Sequence, residues 1–220
     1  MRSVNVDVVA ARQPPKRKRL SAEARRRLIL DAARDVFVEN GHAGGRLRDI
    51  AERAGITEAY LYRYFTSKTE LYHAAIYEPV ERIIEEFGRK LDEMTATPDL
   101  TAADLLQRLN EIMLEFTIAA VPYLGVALFS DLSLDDSFYE TTIRPGIYEP
   151  VKGVLGAIKG WPDRSVDLDV VVDAMWSLNY GIALDGLLRG VDIDAARAAK
   201  RVTRLYTVGI PQFKAARAAR

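Results

Sequence analysis

The sequence contains no cysteine and only two histidines, His42 and His73, among its 220 residues. The missing cysteine excludes disulfide frameworks, thiolate zinc sites and cysteine nucleophiles, and two separated histidines do not form a histidine-rich metal site. A phosphate-binding glycine loop and a metal-ligand pattern such as His-Glu-x-x-His are also missing. We therefore expect a protein that is not an enzyme, with no catalytic residues, no metal and no cofactor.

Long apolar runs are missing as well. No uninterrupted run approaches the roughly 20 residues that span a bilayer. The first 20 residues carry charges throughout and lack the apolar core of a signal peptide. Since hydrophobic residues make up 49% of the sequence, a sizeable core is available. We expect a soluble cytoplasmic protein with no membrane partner.

The net charge is zero, but the charges are unevenly distributed. Residues 1–70 hold 15 lysine and arginine residues against 9 aspartate and glutamate residues, and residues 71–220 hold 16 against 22. A basic first part joined to an acidic body is typical of a module that meets a polyanion, although chance variation gives such a difference too.

Residues 1–20 are predicted to be a disordered basic arm. Pro14 and Pro15 precede the run Lys16-Arg17-Lys18-Arg19, and like charges beside a proline pair resist helix formation. Two interpretations stay open: the arm lies along phosphates or in a minor groove, or it is a solvated tail.

The remaining pattern predicts an all-α chain. Ser21 is a suitable N-cap for a first helix, and Asn40-Gly41 is a suitable end. Apolar residues then recur at helical spacing, and sustained period-two alternation, which would indicate a sheet, is missing. Further helices are predicted at about 67–94 with a kink at Pro79, 102–120 with a stop at Pro122, 123–132, 137–158 with a bend at Pro145-Gly146, 168–188 and 195–208, with a break at 160–163.

Residues 46–68 have the spacing of a helix-turn-helix. Ala51 is small enough for two helices to cross closely, and Gly55 suits a turn that needs positive φ. Thr57 is a suitable cap for a second short helix, from about Glu58 to Phe65. Because such a short helix is unstable alone, packing must hold it, and its outer face is left free for a major groove.

Three segments then carry a family resemblance. They are Phe37-Val38-Glu39-Asn40-Gly41, Asp49-Ile50-Ala51-Glu52-Arg53-Ala54-Gly55-Ile56-Thr57 and Leu61-Tyr62-Arg63-Tyr64-Phe65-Thr66-Ser67-Lys68-Thr69-Glu70-Leu71. From Leu28 to Ile76 the chain resembles the DNA-binding domain of the tetracycline-repressor (TetR) family. The resemblance implies a three-helix DNA-binding domain at residues 21–66 and a helical ligand-binding and dimerisation domain at residues 67–220.

The DNA contacts are expected on and around the second short helix. Tyr60, Arg63 and Tyr64 lie three and four residues apart, on one helical face, and Arg63 is the candidate for reading guanine. The resemblance implies phosphate contacts from Tyr62, Tyr64 and Lys68. The expected DNA-binding residues are Arg46, Arg48, Thr57, Glu58, Ala59, Tyr60, Tyr62, Arg63, Tyr64 and Lys68.

The chain departs from the family pattern at three places. Gly45-Arg46 stands where a threonine or serine pair is common, so that Gly45 is a weaker N-cap and Arg46 offers a charged contact. Glu58 either accepts a hydrogen bond from a cytosine amine or faces away from DNA at the favoured end of the helix dipole. Tyr60 is bulkier than the usual residue. The operator sequence cannot be carried over.

The body is expected to hold a ligand pocket and a dimer interface, although for each residue alone a core position is the simpler interpretation. The aromatic and methionine side chains suit an adaptable apolar pocket. The expected ligand-binding residues are Asn110, Met113, Phe116, Thr117, Phe129, Tyr148, Trp176, Asn179 and Tyr180. The expected dimer-interface residues are Val171, Ala174, Leu178, Ile182, Ala198, Val202 and Leu205.

The sequence thus predicts a homodimeric regulator that binds a double-stranded DNA operator, and a repressor released by a small hydrophobic or aromatic ligand. A two-fold dimer reads two half-sites, and the ligand acts by favouring a dimer geometry that no longer matches them. The alternatives are a ligand-independent regulator or activator of the same fold and, more remotely, a helical enzyme or a protein adaptor.

Overall fold

The structure, a computed structural model, describes residues 21–129, 137–158 and 167–209. The described residues form helices and no strand, as the sequence predicts. The α-helices are α1 (Ala22–Gly44), α2 (Leu47–Arg53), α3 (Glu58–Leu61), α4 (Lys68–Tyr72), α5 (Glu78–Thr95), α6 (Ala102–Phe129), α7 (Glu149–Ala157), α8 (Leu168–Arg189) and α9 (Ala195–Arg204). Three π-helical segments occupy His73–Tyr77, Tyr139–Tyr148 and Leu205–Gly209. The predicted arm at 1–20, residues 130–132 of the predicted helix 123–132 and the predicted break at 160–163 lie outside the described residues.

Helix α1 begins and breaks where the sequence predicts. The Ser21 side chain accepts a hydrogen bond from the backbone N–H of Ala24, and Gly41 has a φ of 68°, outside helical geometry. A further short turn extends the helix to Gly44. One face of α1 is buried, and its apolar side chains are Ile29, Ala32, Ala33, Val36 and Phe37.

Gly45 holds the end of α1 against its own core. A β carbon at this position would lie 2.7 Å from Cδ1 of Phe37, which is closer than real side chains approach, so the backbone there requires glycine. The expectation that Gly45 caps α2 is wrong. The N-cap is Arg46, whose side chain makes no capping hydrogen bond.

The predicted helix of residues 67–94 is interrupted directly before Pro79. Helix α4, the π-helical segment His73–Tyr77 and α5 follow one another without a loop, and the N–H of Glu78 donates to the carbonyl of His73, five residues back. Because proline has no N–H to continue a regular helical ladder, a wider turn is formed where the ladder would fail. The predicted interruption at Pro79 is confirmed.

The second π-helical segment packs closely on α5. This segment contains Pro145, and it replaces the bend that the sequence predicts at Pro145-Gly146. A β carbon on Gly146 would lie 2.5 Å from Cγ2 of Ile84. Glycine is therefore needed for the segment to approach α5 this closely.

Helix α6 continues through Pro122, so the predicted stop there is wrong. Tertiary contacts outweigh the local defect. Leu124, Val126 and Ala127 beyond the proline are all buried. The hydroxyl of Tyr72 also donates to the carbonyl of Val126 over 2.9 Å. The second part of the helix is thus held by its neighbours, although proline cannot donate to the carbonyl of Ile118.

We expect Pro122→Ala to stabilise the chain. Alanine restores a donor to the carbonyl of Ile118 and removes the clash of the proline ring, and proline inside a helix costs about 3 kcal/mol relative to alanine. We expect a gain of roughly 1–3 kcal/mol, because packing around the existing bend opposes part of it. Urea unfolding followed by circular dichroism measures the change, and an unchanged or lower midpoint would contradict the prediction.

Helix α6 bears on the expectation that the chain has no membrane span. By length and composition it is apolar enough to cross a bilayer, yet half of its most apolar 18-residue stretch is buried inside the protein. It packs against α5 on one side and against α8 and α9 on others. The apolar residues of α6 therefore serve as the centre of the helical body.

Helices α8 and α9 close the body. Gly190 ends α8 in the left-handed region, with a φ of 62°, and Asp194 caps α9 by accepting from the N–H of Arg197. The start of each helix agrees with the sequence prediction. Regular α-helix ends at Arg204, and the predicted continuation to Val208 is π-helical.

Candidate nucleic-acid interface

Helices α2 and α3 are joined by the turn that the sequence predicts. Gly55 has a φ of 66°, a conformation that favours glycine, and the N–H of Ile56 returns to the carbonyl of Ala51 over 2.9 Å. The Thr57 side chain accepts from the N–H of Tyr60 over 3.2 Å, which confirms the predicted cap. The turn therefore fixes α3 across α2.

Helix α3 is shorter than predicted, because only Glu58–Leu61 is regular α-helix. The chain continues in tight turns, in which Tyr64 and Phe65 both donate backbone bonds to the carbonyl of Leu61, over 2.9 Å and 3.2 Å. Leu61 and Phe65 are 0% and 1% exposed. Burial of these two side chains holds the whole segment 58–65 on α1 and α2 and leaves its opposite face outward.

The outward face carries three aromatic or basic side chains. The rings of Tyr60 and Tyr64 have centroids 5.6 Å apart, and their hydroxyl oxygens lie 3.3 Å apart. The Arg63 guanidinium lies over the Tyr60 ring, 5.3 Å from its centroid. Tyr62, on the flank, is 50% exposed. The sequence-predicted face of Tyr60, Arg63 and Tyr64 is thus brought together.

The other expected DNA-binding residues surround this face. Arg46, Arg48, Thr57, Glu58 and Ala59 are all exposed. Lys68, in the first turn of α4, donates from Nζ to the carbonyl of Ala43 over 3.1 Å. Its phosphate contact stays a prediction, and in the DNA-free chain its ammonium group lies at the end of α1.

The amino-terminal part of α1 adds basic residues to the same surface. The Arg26 guanidinium lies over the Phe65 ring, 5.1 Å from its centroid. The pKa of the Tyr64 phenol is raised, mainly by its hydrogen bond with Tyr60, while the charges of Arg25 and Arg63 oppose the shift. Arg25 and Arg26 were not among the residues expected to bind DNA. Three arginines in the first turns of a helix are unfavourable for its dipole, and this was a usable signal for a nearby phosphate.

Two carboxylates brace the outward segment, and the sequence analysis missed both. Glu39 of α1 receives a bidentate pair from Arg53 of α2, at 2.8 Å and 2.9 Å. The Glu70 carboxylate accepts from the backbone N–H and the hydroxyl of Thr66, each at 2.6 Å, and Ser67 accepts from the N–H of Glu70 over 3.0 Å. The Ser67-Lys68-Thr69-Glu70 order resembles a capping box, which was the sequence signal for this brace.

We expect Glu70→Gln to weaken the folded domain at neutral pH and to matter less in acid. The pKa of Glu70 is lowered from its ordinary value of 4.5, chiefly because the Thr66 hydroxyl donates to the carboxylate. A carboxyl group whose pKa is lowered in the folded chain stabilises it above the unfolded value, and this stabilisation is lost as the pH falls through the folded value. The difference in unfolding free energy between wild type and variant should therefore shrink below pH 4.5.

Urea unfolding at pH 7 and at several values below 4.5 measures this difference. Glu85→Gln is the matched control, since Glu85 is an exposed carboxylate of α5. A difference for Glu70→Gln that is the same at every pH would show that the charge of Glu70 is not what stabilises the turn.

The polar residues expected in the ligand pocket lie in the core. Asn110, Thr117 and Asn179 are each 0% exposed. Asn110 donates to the Thr203 hydroxyl over 3.3 Å, and Asn179 donates to the side-chain oxygen of Asn110 over 3.5 Å. Thr117 donates to the carbonyl of Met113 over 3.0 Å. These groups join α6, α8 and α9 through a buried polar cluster.

The aromatic residues expected in the pocket form a connected group beside that cluster. Ring centroids lie 6.0 Å apart for Phe116 and Trp176, 5.6 Å apart for Tyr148 and Trp176, and 6.2 Å apart for Trp176 and Tyr180. Met113 is buried. Phe129, by contrast, is 66% exposed at the end of α6, so it is not part of this group.

The sequence analysis missed an open groove between α5 and α6. Its volume is about 370 Å³, and Phe87 and Phe116 pack edge to face with centroids 5.4 Å apart at its wall. Phe116 thus belongs both to this groove and to the aromatic group around Trp176. The other residues lining the groove are Pro79, Arg82, Ile83, Glu86, Lys90, Ile112, Glu115, Ala119 and Tyr123.

The expected dimer residues do not all reach the surface of the single chain. Ala174 and Leu205 are exposed, and Val171, Leu178, Ile182 and Ala198 are partly exposed. Val202 is 5% exposed, because it faces the core of its own chain, and it cannot present its side chain to a second copy. Large apolar side chains exposed nearby, which the sequence analysis did not assign to an interface, are Val170, Leu187, Leu188 and Val191.

Among the described residues, no group of three or more histidine, aspartate or glutamate side chains is arranged to hold a metal ion.

Comparison with known proteins identifies the amino-terminal segment. Residues 29–75 match the family model described as bacterial regulatory proteins, tetR family. The HTH-type transcriptional activator FasR of Mycolicibacterium smegmatis is 39% identical over 77 residues, which are 35% of this chain and 35% of FasR. An uncharacterised HTH-type transcriptional regulator of Mycobacterium bovis, Mb2936c, is 27% identical over 186 residues, which are 83% of this chain and 92% of that protein.

The fold of the whole described chain has known counterparts. The transcriptional regulator FadR of Bacillus subtilis, solved in complex with stearoyl-CoA, superposes with a TM-score of 0.53 at 19% identity, over 83% of this chain and 98% of that one. These matches agree with the helix-turn-helix that presents Tyr60, Arg63 and Tyr64 and with the helical body. Residues 29–75 are thus a DNA-binding segment of the kind found in the TetR family of bacterial regulatory proteins, and over most of its length the chain is similar to DNA-binding transcriptional regulators.

Proposed function

We propose that the chain is a homodimeric, cytoplasmic repressor that a small hydrophobic ligand releases from its operator, with residues 21–66 as the DNA-binding domain and residues 67–220 as the ligand-binding and dimerisation domain. One observation carries the ligand-controlled part of the proposal. Two sets of aromatic contacts, joined by the backbone between Phe138 and Tyr139, lead from the groove between α5 and α6 to Phe37 of α1. A ligand that moves the groove wall can therefore act on the orientation of the DNA-contacting segment.

The aromatic contacts begin at the groove wall. From Phe116 they lead through Trp176 to Tyr148, and Tyr148 meets Tyr139 with centroids 5.9 Å apart. Tyr139 is the chain neighbour of Phe138. The first half of the path therefore crosses the body from α6 to the second π-helical segment.

The second half of the path reaches the DNA-binding domain. The ring of Phe138 stacks on Tyr77 with centroids 4.2 Å apart, and Tyr77 packs on Tyr72 at 5.1 Å. Tyr72 in turn meets Phe37 of α1 at 5.0 Å. Since packed side chains shift between discrete arrangements rather than deform smoothly, displacement at one end of this path favours a different arrangement at the other.

The ligand class we propose is a long-chain acyl compound, such as a fatty acid or its coenzyme A thioester. The groove between α5 and α6 offers apolar side chains from Ile83, Phe87 and Ile112. Its charged lining residues are Arg82, Glu86, Lys90 and Glu115, and Lys90 pairs with Glu115 over 2.7 Å. Pockets that bind apolar ligands combine such walls with few polar groups. The complex of the Bacillus subtilis regulator with stearoyl-CoA supports the same class. Trp176, Tyr148 and Tyr180 would line the site once Phe116 moves aside.

The dimer is proposed to form through α8 and α9. Val170, Leu188 and Leu205 are exposed by 62%, 77% and 52%. Val170 and Leu188 lie near the two ends of α8, and Leu205 directly follows α9. Exposed apolar side chains of this size favour a second copy of the chain as the covering surface. Two copies supply two DNA-contacting segments, as a two-fold operator needs.

The test is a DNA-binding titration with the full chain. Labelled duplex from the region upstream of the gene is bound first, and stearoyl-CoA, stearate, a short-chain acyl-CoA and coenzyme A alone are then added at matched concentrations. We expect release by the long-chain compounds only. A Trp161→Phe variant leaves Trp176 as the single tryptophan, so its fluorescence should change over the same concentration range.

The outcomes separate the parts of the proposal. Release by coenzyme A alone would assign recognition to the nucleotide rather than to the chain. An unchanged DNA affinity and unchanged Trp176 fluorescence with every compound would overturn the ligand proposal and leave a ligand-independent regulator. Size measurement in solution tests the dimer, and a monomer would overturn that part.

An activator is the second candidate, because the relative FasR is named as a transcriptional activator. A reporter gene under the upstream region distinguishes the two. Deletion of the regulator raises expression if the chain is a repressor and lowers it if the chain is an activator.

A further inference from the structure

We infer that Tyr60 is a positioning residue for base readout: its ring holds the Arg63 guanidinium over its face, so that N–H groups of Arg63 are directed to a guanine in each operator half-site. The inference goes beyond the proposed ligand control and rests on the DNA-contacting segment alone. It also gives a role to the residue by which this segment departs from the usual family pattern.

The contact between Tyr60 and Arg63 leaves N–H groups of the Arg63 guanidinium free to bind a base. The central carbon of the guanidinium lies 5.3 Å from the centroid of the Tyr60 ring, a distance at which a cation is attracted to the face of an aromatic ring. The guanidinium is planar, and its N–H groups point outward within that plane. Because the contact to the ring is made by the charge rather than by a hydrogen bond, two parallel N–H groups remain for O6 and N7 of guanine.

The Tyr60 ring is itself held in place. Its hydroxyl oxygen lies 3.3 Å from that of Tyr64, and the two rings pack at 5.6 Å. The backbone N–H of Tyr60 donates to the Thr57 cap, and the carbonyl of Tyr60 accepts from the N–H of Arg63 over 3.2 Å. Tyr60 and Arg63 therefore lie on one turn of the backbone, and these two hydrogen bonds hold that turn in place.

Arg63 is not drawn away by an acid. Within the part of the chain that the structure describes, Arg63 forms no ion pair. Other arginines do: Arg27 pairs with Glu23, Arg34 with Asp31 and Asp35, and Arg53 with Glu39. The charge and the N–H groups of Arg63 are thus available to DNA, and the Tyr60 ring is the group that limits its rotamers. A side chain that is already ordered loses less entropy on binding.

The experiment compares base preferences at single positions. Wild-type full chain first selects duplexes from a randomised pool, and the selected duplex is then remade with each single-base substitution. Binding of wild type, Tyr60→Phe, Tyr60→Leu, Arg63→Lys and Arg63→Ala is measured on the whole set at one salt concentration, and circular dichroism confirms that each variant is folded.

We expect Arg63→Ala to lose the preference for guanine at one position per half-site, by about 5- to 150-fold, the range for one bidentate arginine–guanine contact. Arg63→Lys should lose most of it, because lysine lacks the planar fork. Tyr60→Leu should weaken the preference at the same position by about two- to fivefold, as expected for an exposed cation–π contact. Tyr60→Phe keeps the ring and should retain the preference.

A merely structural role for Tyr60 would give a different pattern. Tyr60→Leu would then weaken binding to all duplexes by one factor and leave every base preference unchanged, which overturns the inference. It is also overturned if Arg63→Ala leaves all preferences unchanged, or if Tyr60→Phe behaves like Tyr60→Leu. None of these outcomes depends on whether a ligand releases the chain from DNA.

Discussion

Phe37→Ala is expected to destabilise the amino-terminal domain by about 3–5 kcal/mol, the range for removing a fully buried phenylalanine ring. Phe37 is 0% exposed. Its ring meets Tyr72 of α4 edge to face at 5.0 Å and covers the backbone of Gly45. The substitution therefore opens a cavity where α1, the start of α2 and α4 meet, and these elements cannot collapse into it without moving the DNA-contacting segment.

Two measurements check this expectation. Urea unfolding gives the loss of stability, and DNA binding by the same variant should fall at temperatures where the body is still helical. Val38→Ala is the matched control, because Val38 is the next residue of the same helix and is 51% exposed. We expect the control to change stability by less than about 0.5 kcal/mol. Equal losses for Phe37→Ala and Val38→Ala would contradict the role given to the Phe37 ring.

The second large effect is expected at the buried amides of the body. Asn110→Leu removes the donor to Thr203 and the acceptor from Asn179. A buried polar group left without a partner costs about 1–3 kcal/mol, so Asn110→Leu should lower the unfolding free energy by at least this amount. After the substitution, Nδ2 of Asn179 keeps the carbonyl of Met175 as its acceptor, over 2.8 Å, and Oδ1 of Asn179 has no hydrogen-bond partner within the described part of the chain.

A double-mutant cycle identifies the coupling between the two amides. Asn179→Leu in the Asn110→Leu background removes the amide that has lost its bond to Asn110. The double variant should therefore be destabilised by less than the sum of the two single variants, by about 0.5–3 kcal/mol. Unfolding free energies that simply add would show that Asn110 and Asn179 do not act as a pair.

The DNA-contacting segment could be predicted from the sequence because its constraints are local. Positive φ at Gly55, the Thr57 cap and the common face of Tyr60, Arg63 and Tyr64 each follow from residue type and spacing within a few residues. The bidentate pair of Glu39 with Arg53 was not predictable in this way, since its partners are 14 residues apart and belong to different helices.

The body was harder to predict because tertiary contacts determine where its helices end and which side chains are buried. Proline at position 122 is a local stop signal, yet burial of Leu124 and the bond from Tyr72 to Val126 keep α6 in one piece. Periodicity also placed Val202 on an outer face, whereas contact with α6 buries it. The same limit applies to the groove, because its walls come from Phe87 and Phe116 on two helices whose pairing no local pattern specifies.

Three prolines, Pro79, Pro122 and Pro145, lie at the start of a helix or inside one and have a shared consequence for motion. Pro79 and Tyr123, the neighbour of Pro122, line the same groove, and Gly146, the neighbour of Pro145, touches Ile84 of α5. The prolines, which lack a backbone hydrogen-bond donor, therefore lie in one region of the body, on the side that meets α1 and α4. Proline inside a helix has no N–H to donate to the carbonyl four residues back, so fewer backbone hydrogen bonds oppose bending in this region than in an uninterrupted helix.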